Sequence, residues 1–160
     1  GGEGPVRAVK GVSPQDVAAV VDAELGGAVD FAFIDGLHTS AQIALDYRAV
    51  RDQAAPDAVY LFHDVHDFGL EPGLKEIERL SGLEARMLWA TPSGMALLCD
   101  FARHPGLAAV AAAFAPSPLV LAAIELSAWN HRHRHLARWR RSLNKRAAKL
   151  RGLAGRPTSV

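Results

Sequence analysis

Two segments of the chain are almost continuously apolar, and both end in an aspartate. Residues 28–35 read AVDFAFID and residues 58–64 read AVYLFHD. Unbroken apolar runs of this length are typical of parallel strands that are covered on both faces. Pro56 and Asp57 predict a turn just before the second run. We therefore expect two buried parallel strands, each with a carboxylate at its carboxyl end.

Segments with apolar residues at helical spacing separate these strands. The first helix is predicted to have Ser13 as its N-cap and Pro14 as its first helical residue, and to end at the Gly-Gly pair 26–27. Two more helices are predicted over about 40–54 and 72–81. This alternation of strands and helices indicates an α/β fold with a doubly wound sheet.

A third region has the pattern of an antiparallel hairpin. Residues 84–90 and 95–101 have the pattern of two strands, and the TPSG sequence between them is a turn signal. The hairpin is expected to form an antiparallel edge of the sheet. The predicted α/β domain spans residues 1–103.

The character of the chain changes after residue 103. Residues 104–151 are expected to form a helical extension that includes a basic amphipathic helix over residues 129–151. No charged residue occurs from 106 to 124, but two prolines in this stretch argue against a transmembrane segment. Residues 152–160 are predicted to be a disordered tail.

Composition narrows the class of protein. With 160 residues, of which 49% are hydrophobic and 22% charged, the chain can bury one core and is not disordered as a whole. The single cysteine, Cys99, excludes a disulfide framework and a cysteine-based zinc site. Together with the absence of a signal-peptide pattern, it predicts a cytoplasmic protein.

The net charge of +1 conceals an uneven distribution of charge. All 17 acidic residues lie before residue 126, whereas 10 of the 18 basic residues follow it. The basic helix 129–151 therefore either contacts an anionic surface, such as nucleic acid or an anionic membrane, or packs against the acidic body or within a homo-oligomer.

The two strand ends bring candidate chemistry together. Ligands of open α/β sheets bind beyond the carboxyl ends of the strands. We therefore expect Asp35 and Asp64 at one edge, with His38, His63 and His66 beside them. Carboxylates and imidazoles together can hold a divalent cation, and a free histidine can act as a general base. Carboxylates alone favour Mg²⁺, and added imidazoles shift the preference toward Mn²⁺, Fe²⁺ or Zn²⁺.

Two stretches of the chain resemble class I S-adenosylmethionine-dependent methyltransferases, namely DFAFIDGLHTSAQIALDYRAV and YLFHDVHDFGLEPGLKEI. The resemblance is to the branch of macrolide-sugar O-methyltransferases and cephalosporin-hydroxylase-like proteins. Its hallmarks are a strand ending in I-D-G-x-H, a later aspartate (here Asp46) and a strand ending in H-D. The resemblance covers roughly residues 6–101. It implies a Rossmann-like sheet with strand order 3-2-1-4-5-7-6, in which the hairpin provides the last two strands.

The resemblance also implies roles for individual residues. Asp35 and Asp64 correspond to ligands of a divalent metal such as Mg²⁺, and His63 to a further ligand. His38 falls at the position of the general base that takes a proton from the acceptor hydroxyl. Ser13 falls where the family approaches the adenine of S-adenosylmethionine. The implied activity is metal-assisted O-methylation of a small hydroxylated acceptor, such as a sugar or natural product.

Two elements of the family pattern are absent from the sequence. These are the first strand with its Gly-rich turn and the second strand with its ribose-binding acid, which together make most contacts to the cofactor. We therefore expect the C-terminal part of a methyltransferase, without its N-terminal strands, that binds the cofactor poorly and is inactive alone. In the family's strand order the missing strands would lie between residues 6–9 and the strand at 28–35, so one edge of that strand is expected to be open. Residues 1–10 are expected to be displaced or paired differently.

Two other functions are consistent with the same sequence. One is a metal-dependent hydroxylase or hydrolase that uses Asp35, His63, Asp64 and His66. The other is a non-catalytic module whose basic helix 129–151 binds a polyanion. Methyl transfer by the complete gene product would distinguish the methyltransferase from the first alternative. Salt-sensitive binding to polyanions without the metal site would indicate the second.

Overall fold

The computed structural model describes residues 6–91 and 93–126. The chain divides into two compact units, residues 1–115 and 116–160. The predicted basic helix at 129–151 and the predicted tail at 152–160 lie outside the described residues.

The described residues form five helices and a four-stranded sheet. The helices are α1 (Val17–Glu24), α2 (Ser40–Arg51), α3 (Glu71–Ser81), α4 (Pro105–Ala113) and α5 (Pro118–Leu126). The strands are β1 (Val29–Ile34), β2 (Ala54–Phe62), β3 (Ala85–Leu88) and β4 (Met95–Leu98). The sheet order is β1-β2-β4-β3, with β1 and β2 parallel and the other pairs antiparallel. This is the predicted α/β fold with an antiparallel hairpin, and its order is that expected for the last four strands of a Rossmann-like methyltransferase.

The strand β1 lies at the edge of this sheet. Residues 6–12 belong to no strand and are exposed, so the described part of the segment 1–10 is displaced from the sheet, as predicted. The prediction that β1 is covered on both faces is wrong, because Phe31 is 57% and Phe33 50% exposed. In the described part of the chain, α2 packs on the face of β1 that carries Ile34, whereas α4 packs against the hairpin at the other end of the sheet.

The start of α1 also differs from the prediction. The helix begins at Val17 with Asp16 as its N-cap, so Ser13 and Pro14 precede it. The Ser13 hydroxyl donates instead to a carboxylate oxygen of Asp46 on α2, over 2.5 Å. Serine hydroxyls often cap helices, but the Ser13 hydroxyl makes a tertiary hydrogen bond instead.

The predicted turn at Pro56 and Asp57 is part of β2. Val29 pairs with Ala54, but Phe31 pairs with Val59, so the register shifts at this point. The irregularity accommodates the extra residues of β2 together with a proline that has no N–H for the ladder. The strand is therefore longer than predicted, and α2 ends at Arg51, before the predicted residue 54.

Two apolar clusters lie on the two sides of the sheet. The larger lies between the sheet and the helices α2 and α3, and its most buried side chains include Tyr47, Phe62 and Ile77. The smaller joins Ala111 of α4 to Leu97 of β4 and neighbouring residues. The larger core fixes α2 against β1 and β2, which positions the loop between β1 and α2.

In the described part of the chain, no single helix has the length and apolar composition needed to cross a membrane. The consecutive helices α4 and α5 reach that length and composition only when they are taken together.

We expect Gly73→Ala to destabilise the protein by about 1–3 kcal/mol, because a Cβ here meets backbone that cannot move freely. That atom would lie 2.5 Å from the carbonyl oxygen and 2.8 Å from the Cα of Ser40. Urea unfolding measures the effect. Gly106→Ala in α4 is the control, since a Cβ there has no neighbour within 4 Å. If Gly73→Ala and Gly106→Ala change the free energy of unfolding equally, close packing between α2 and α3 at Gly73 does not explain the loss.

We expect stability to fall by about 1 kcal/mol between pH 9 and pH 11 because of Tyr60. Burial raises the pKa of the Tyr60 phenol to about 12, and the neighbouring Tyr47 contributes to the shift. The folded state therefore resists deprotonation that begins near pH 10 in the unfolded chain. Urea unfolding across this range should show a shallower decline for Tyr60→Phe. An identical decline in both proteins would contradict the prediction.

Candidate metal centre

The parallel pairing of β1 and β2 brings two strand ends to the same edge of the sheet. Their register runs to the pair Ile34–Phe62. One further backbone bond continues it, in which the His63 N–H donates to the carbonyl oxygen of Ile34 over 3.0 Å. Asp35 and Asp64 follow directly, so the ladder itself holds their backbones close together.

His38 reaches the same point from the loop that leads into α2. Thr39 is the N-cap of α2, and its hydroxyl accepts from the Gln42 N–H over 3.2 Å, which fixes the helix start next to His38. His38 Nε2 lies 3.3 Å from Asp35 Oδ1 and 3.2 Å from Asp64 Oδ2. The ring therefore lies against both carboxylates.

His63 faces the carboxylates with its Nδ1, whereas His38 faces them with its Nε2. Its Nδ1 lies 3.3 Å from Asp35 Oδ1 and 3.0 Å from Asp64 Oδ1, yet this buried atom has no hydrogen-bond partner. Its Nε2 is hydrogen-bonded to Ser93 Oγ over 3.3 Å. When Nε2 carries the proton and donates to Ser93, Nδ1 directs a lone pair toward the carboxylates, as a metal ligand must.

Together these four side chains meet the requirements of a cation site. One ligand atom from each of Asp35, His38, His63 and Asp64 lies within 4.8 Å of all the others. The two carboxylate oxygens and the unpartnered Nδ1 of His63 are donors suited to a divalent metal, and the Nε2 of His38 lies beside them. We call this set the four-residue centre.

His66 is not a member of the four-residue centre. Its Nδ1 is 3.7 Å from a carboxylate oxygen of Glu71, and its ring meets Trp89 edge to face at 5.2 Å. The expected convergence of five residues at this edge is therefore reduced to four.

The hairpin turn supports the loop that carries Asp64. Asp64 has a positive φ of 55°, a conformation that aspartate tolerates better than most residues. The next two N–H groups, of Val65 and His66, donate to the carbonyl oxygen of Gly94 over 3.0 and 3.3 Å. A Cβ on Gly94 would lie 2.5 Å from the Cβ of His66, so glycine permits this close approach.

Ser13 lies in a second hydrogen-bond network behind the four-residue centre. Asp46 is only 4% exposed and accepts from the Ser13 hydroxyl and, over 2.8 Å, from the Gln42 side chain. The Gln42 side chain also donates to the Ser13 carbonyl oxygen over 3.3 Å. A Cβ on Gly36 would lie 2.9 Å from Asp46, so this network contacts the loop that follows β1.

Sequence reasoning missed Ser93 and Phe68. Ser93 contacts His63, and the Phe68 ring stacks on the His38 ring with centroids 4.2 Å apart. A serine in a hairpin turn and a phenylalanine in a loop are common, so neither residue gave a signal in the sequence. Only the antiparallel pairing of β2 with β4 brings the turn to His63.

Residues 2–65 match a family model described as "Methyltransferase domain". This match supports a class I methyltransferase domain and confirms the resemblance at that level. The matched segment contains all four residues of the centre. Neither the curated proteins nor the solved structures gave a match to the chain.

We expect Ser13→Ala to destabilise α1 by about 1–2 kcal/mol. The hydroxyl of Ser13 ties the segment just before α1 to Asp46 on α2, and its removal leaves buried Asp46 with one of its two donors. Hydrogen exchange of α1 amides measures the effect, for example that of Val20, whose N–H donates to Asp16. Ser117→Ala is the control, since the Ser117 hydroxyl accepts locally from Val120. Unchanged exchange in α1 would show that the contact with Asp46 contributes nothing.

Proposed function

We propose that this chain carries the metal and acceptor part of an O-methyltransferase that uses S-adenosylmethionine and acts on a small hydroxylated molecule. One observation carries the proposal: the four-residue centre lies within the segment that matches a methyltransferase domain. The match supports a methyltransferase-like function. The use of S-adenosylmethionine, the help of a metal and the class of acceptor are what we propose in addition.

Asp35, His63 and Asp64 are the proposed metal ligands. Their carboxylate oxygens and the buried Nδ1 of His63 converge from two strand ends that the sheet holds rigidly. A divalent metal at this point would orient the acceptor hydroxyl and lower its pKa. Ser93 holds the His63 ring in position, as hydrogen-bond partners of metal-binding imidazoles do.

His38 is the proposed general base. Its side chain is 30% exposed, so it reaches both the carboxylates and the solvent side where an acceptor enters. The base takes the proton of the acceptor hydroxyl at Nε2. Asp35 and Asp64, which lie 3.2–3.3 Å from that nitrogen, compensate the charge that the ring gains.

Ser13 is the residue proposed to approach the adenine of S-adenosylmethionine, the cofactor that supplies the methyl group on a sulfonium. Its hydroxyl already donates to Asp46, and its carbonyl oxygen already accepts from Gln42. These bonds leave Ser13 fewer polar groups for contact with an adenine. We expect the 160-residue chain to bind S-adenosylmethionine weakly.

The hydrolase or hydroxylase alternative loses support from the position of His66. That alternative uses His66 together with Asp35, His63 and Asp64, and His66 lies outside the four-residue centre. Polyanion binding by residues 129–151 stays a prediction, because this segment is outside the described residues.

We expect Asp64→Asn to weaken Mn²⁺ binding by about 10-fold or more, because it removes a charged ligand. Asparagine also tolerates the positive φ of this position, so the variant should fold. Electron paramagnetic resonance titration of Mn²⁺ measures the affinity. Asp30→Asn, at an exposed position of β1, is the matched control. Equal weakening in both variants would contradict the proposed ligands.

We expect His38→Gln to keep Mn²⁺ affinity but to slow methyl transfer by the complete gene product by about 100-fold or more. Transfer is followed with S-adenosylmethionine carrying a labelled methyl group. Loss of Mn²⁺ binding in His38→Gln would make His38 a ligand rather than the base. Loss of Mn²⁺ binding in His66→Gln would favour the hydrolase set instead.

A further inference from the structure

Three large apolar side chains next to the four-residue centre are exposed to solvent. Leu37 is 68%, Phe68 55% and Phe33 50% exposed. Exposed apolar surface that adjoins a polar cluster is typical of a binding site for a ligand with an apolar part. These side chains give the centre an apolar border that the proposed chemistry does not use.

Two of these side chains touch the two imidazoles of the centre. The Phe68 ring stacks on the His38 ring, with centroids 4.2 Å apart and planes inclined by 26°. The Phe33 ring meets the His63 ring edge to face at 5.8 Å. Each imidazole of the centre therefore has an exposed aromatic ring beside it.

The same turn holds Phe68 and Asp64. The Phe68 N–H donates to the Asp64 carbonyl oxygen over 3.2 Å, and the Leu70 N–H donates to that of Val65 over 2.8 Å. Gly69 completes the turn with a positive φ of 65°. Phe68 is thus fixed relative to the carboxylate, although its ring is more than half exposed.

We propose that Phe68 is a positioning residue that binds the ring of an aromatic alcohol, so that the ring's hydroxyl group reaches His38. This inference rests on the proposed function and specifies its acceptor class. One face of Phe68 is covered by His38, so a ligand whose hydroxyl reaches His38 meets the edge of the Phe68 ring rather than its far face. Edge-to-face aromatic pairs favour such a ligand over a non-planar alcohol by about 3- to 10-fold.

Isothermal titration of the Mn²⁺-loaded chain with three probes tests this inference. The probes are catechol, cis-1,2-cyclohexanediol and methyl α-glucopyranoside, which are an aromatic diol, a non-aromatic diol and a sugar. Catechol should bind about 3- to 10-fold more tightly than the other two. Phe68→Ala and Phe68→Leu should both lose this preference and retain Mn²⁺ affinity. Phe31→Ala is the matched control, since Phe31 is exposed on the same strand as Phe33.

Equal binding of the three probes, tighter binding of the glucopyranoside, or a catechol preference that survives both Phe68 variants would overturn the inference. These results would leave the metal site and the methyltransferase proposal intact. If wild-type protein binds no metal, the proposed metal assistance fails instead. The same titrations are then made with the metal-free chain. A tighter binding of catechol that is lost in both Phe68 variants supports the inference, and its absence overturns the inference.

Discussion

The parallel ladder between β1 and β2 is the interaction on which the candidate site depends. It pairs the two strands up to Ile34 and Phe62, and the bond from the His63 N–H to Ile34 extends it by one residue. Parallel strands end at the same edge, so the acids that follow them must come together. Two carboxylates brought together in this way repel each other, and a divalent cation bound by both would offset that repulsion.

The rest of the fold keeps this arrangement from relaxing. The hairpin turn binds the loop after β2 through Gly94 and supports His63 through Ser93. The start of α2 fixes the loop after β1, and buried Asp46 on the same helix holds the segment around Ser13. The centre thus has support from the hairpin, from α2 and from the segment before α1. A site held from several elements can keep its ligands at fixed spacing.

The exposed face of β1 shows how a local pattern and a tertiary environment can disagree. Phe31 and Phe33 point away from the core that Ile34 enters, because side chains alternate along a strand. An apolar run favours coverage on both faces, but coverage requires a partner element. In the described part of the chain α2 packs on one face of β1, and the face of Phe33 borders the four-residue centre.

The sequence by itself determined the type and order of the elements. Periodicity and turn residues are local properties, and they were sufficient for the α/β alternation, the hairpin and the acids at the two strand ends. The tertiary structure decided which side chains meet. It placed His38 against both carboxylates and left His66 aside, included Pro56 in a strand, gave Ser13 a partner on α2, and brought Ser93 to His63. These outcomes depend on strand register and on contacts between residues far apart in the chain, and no local pattern encodes either of them.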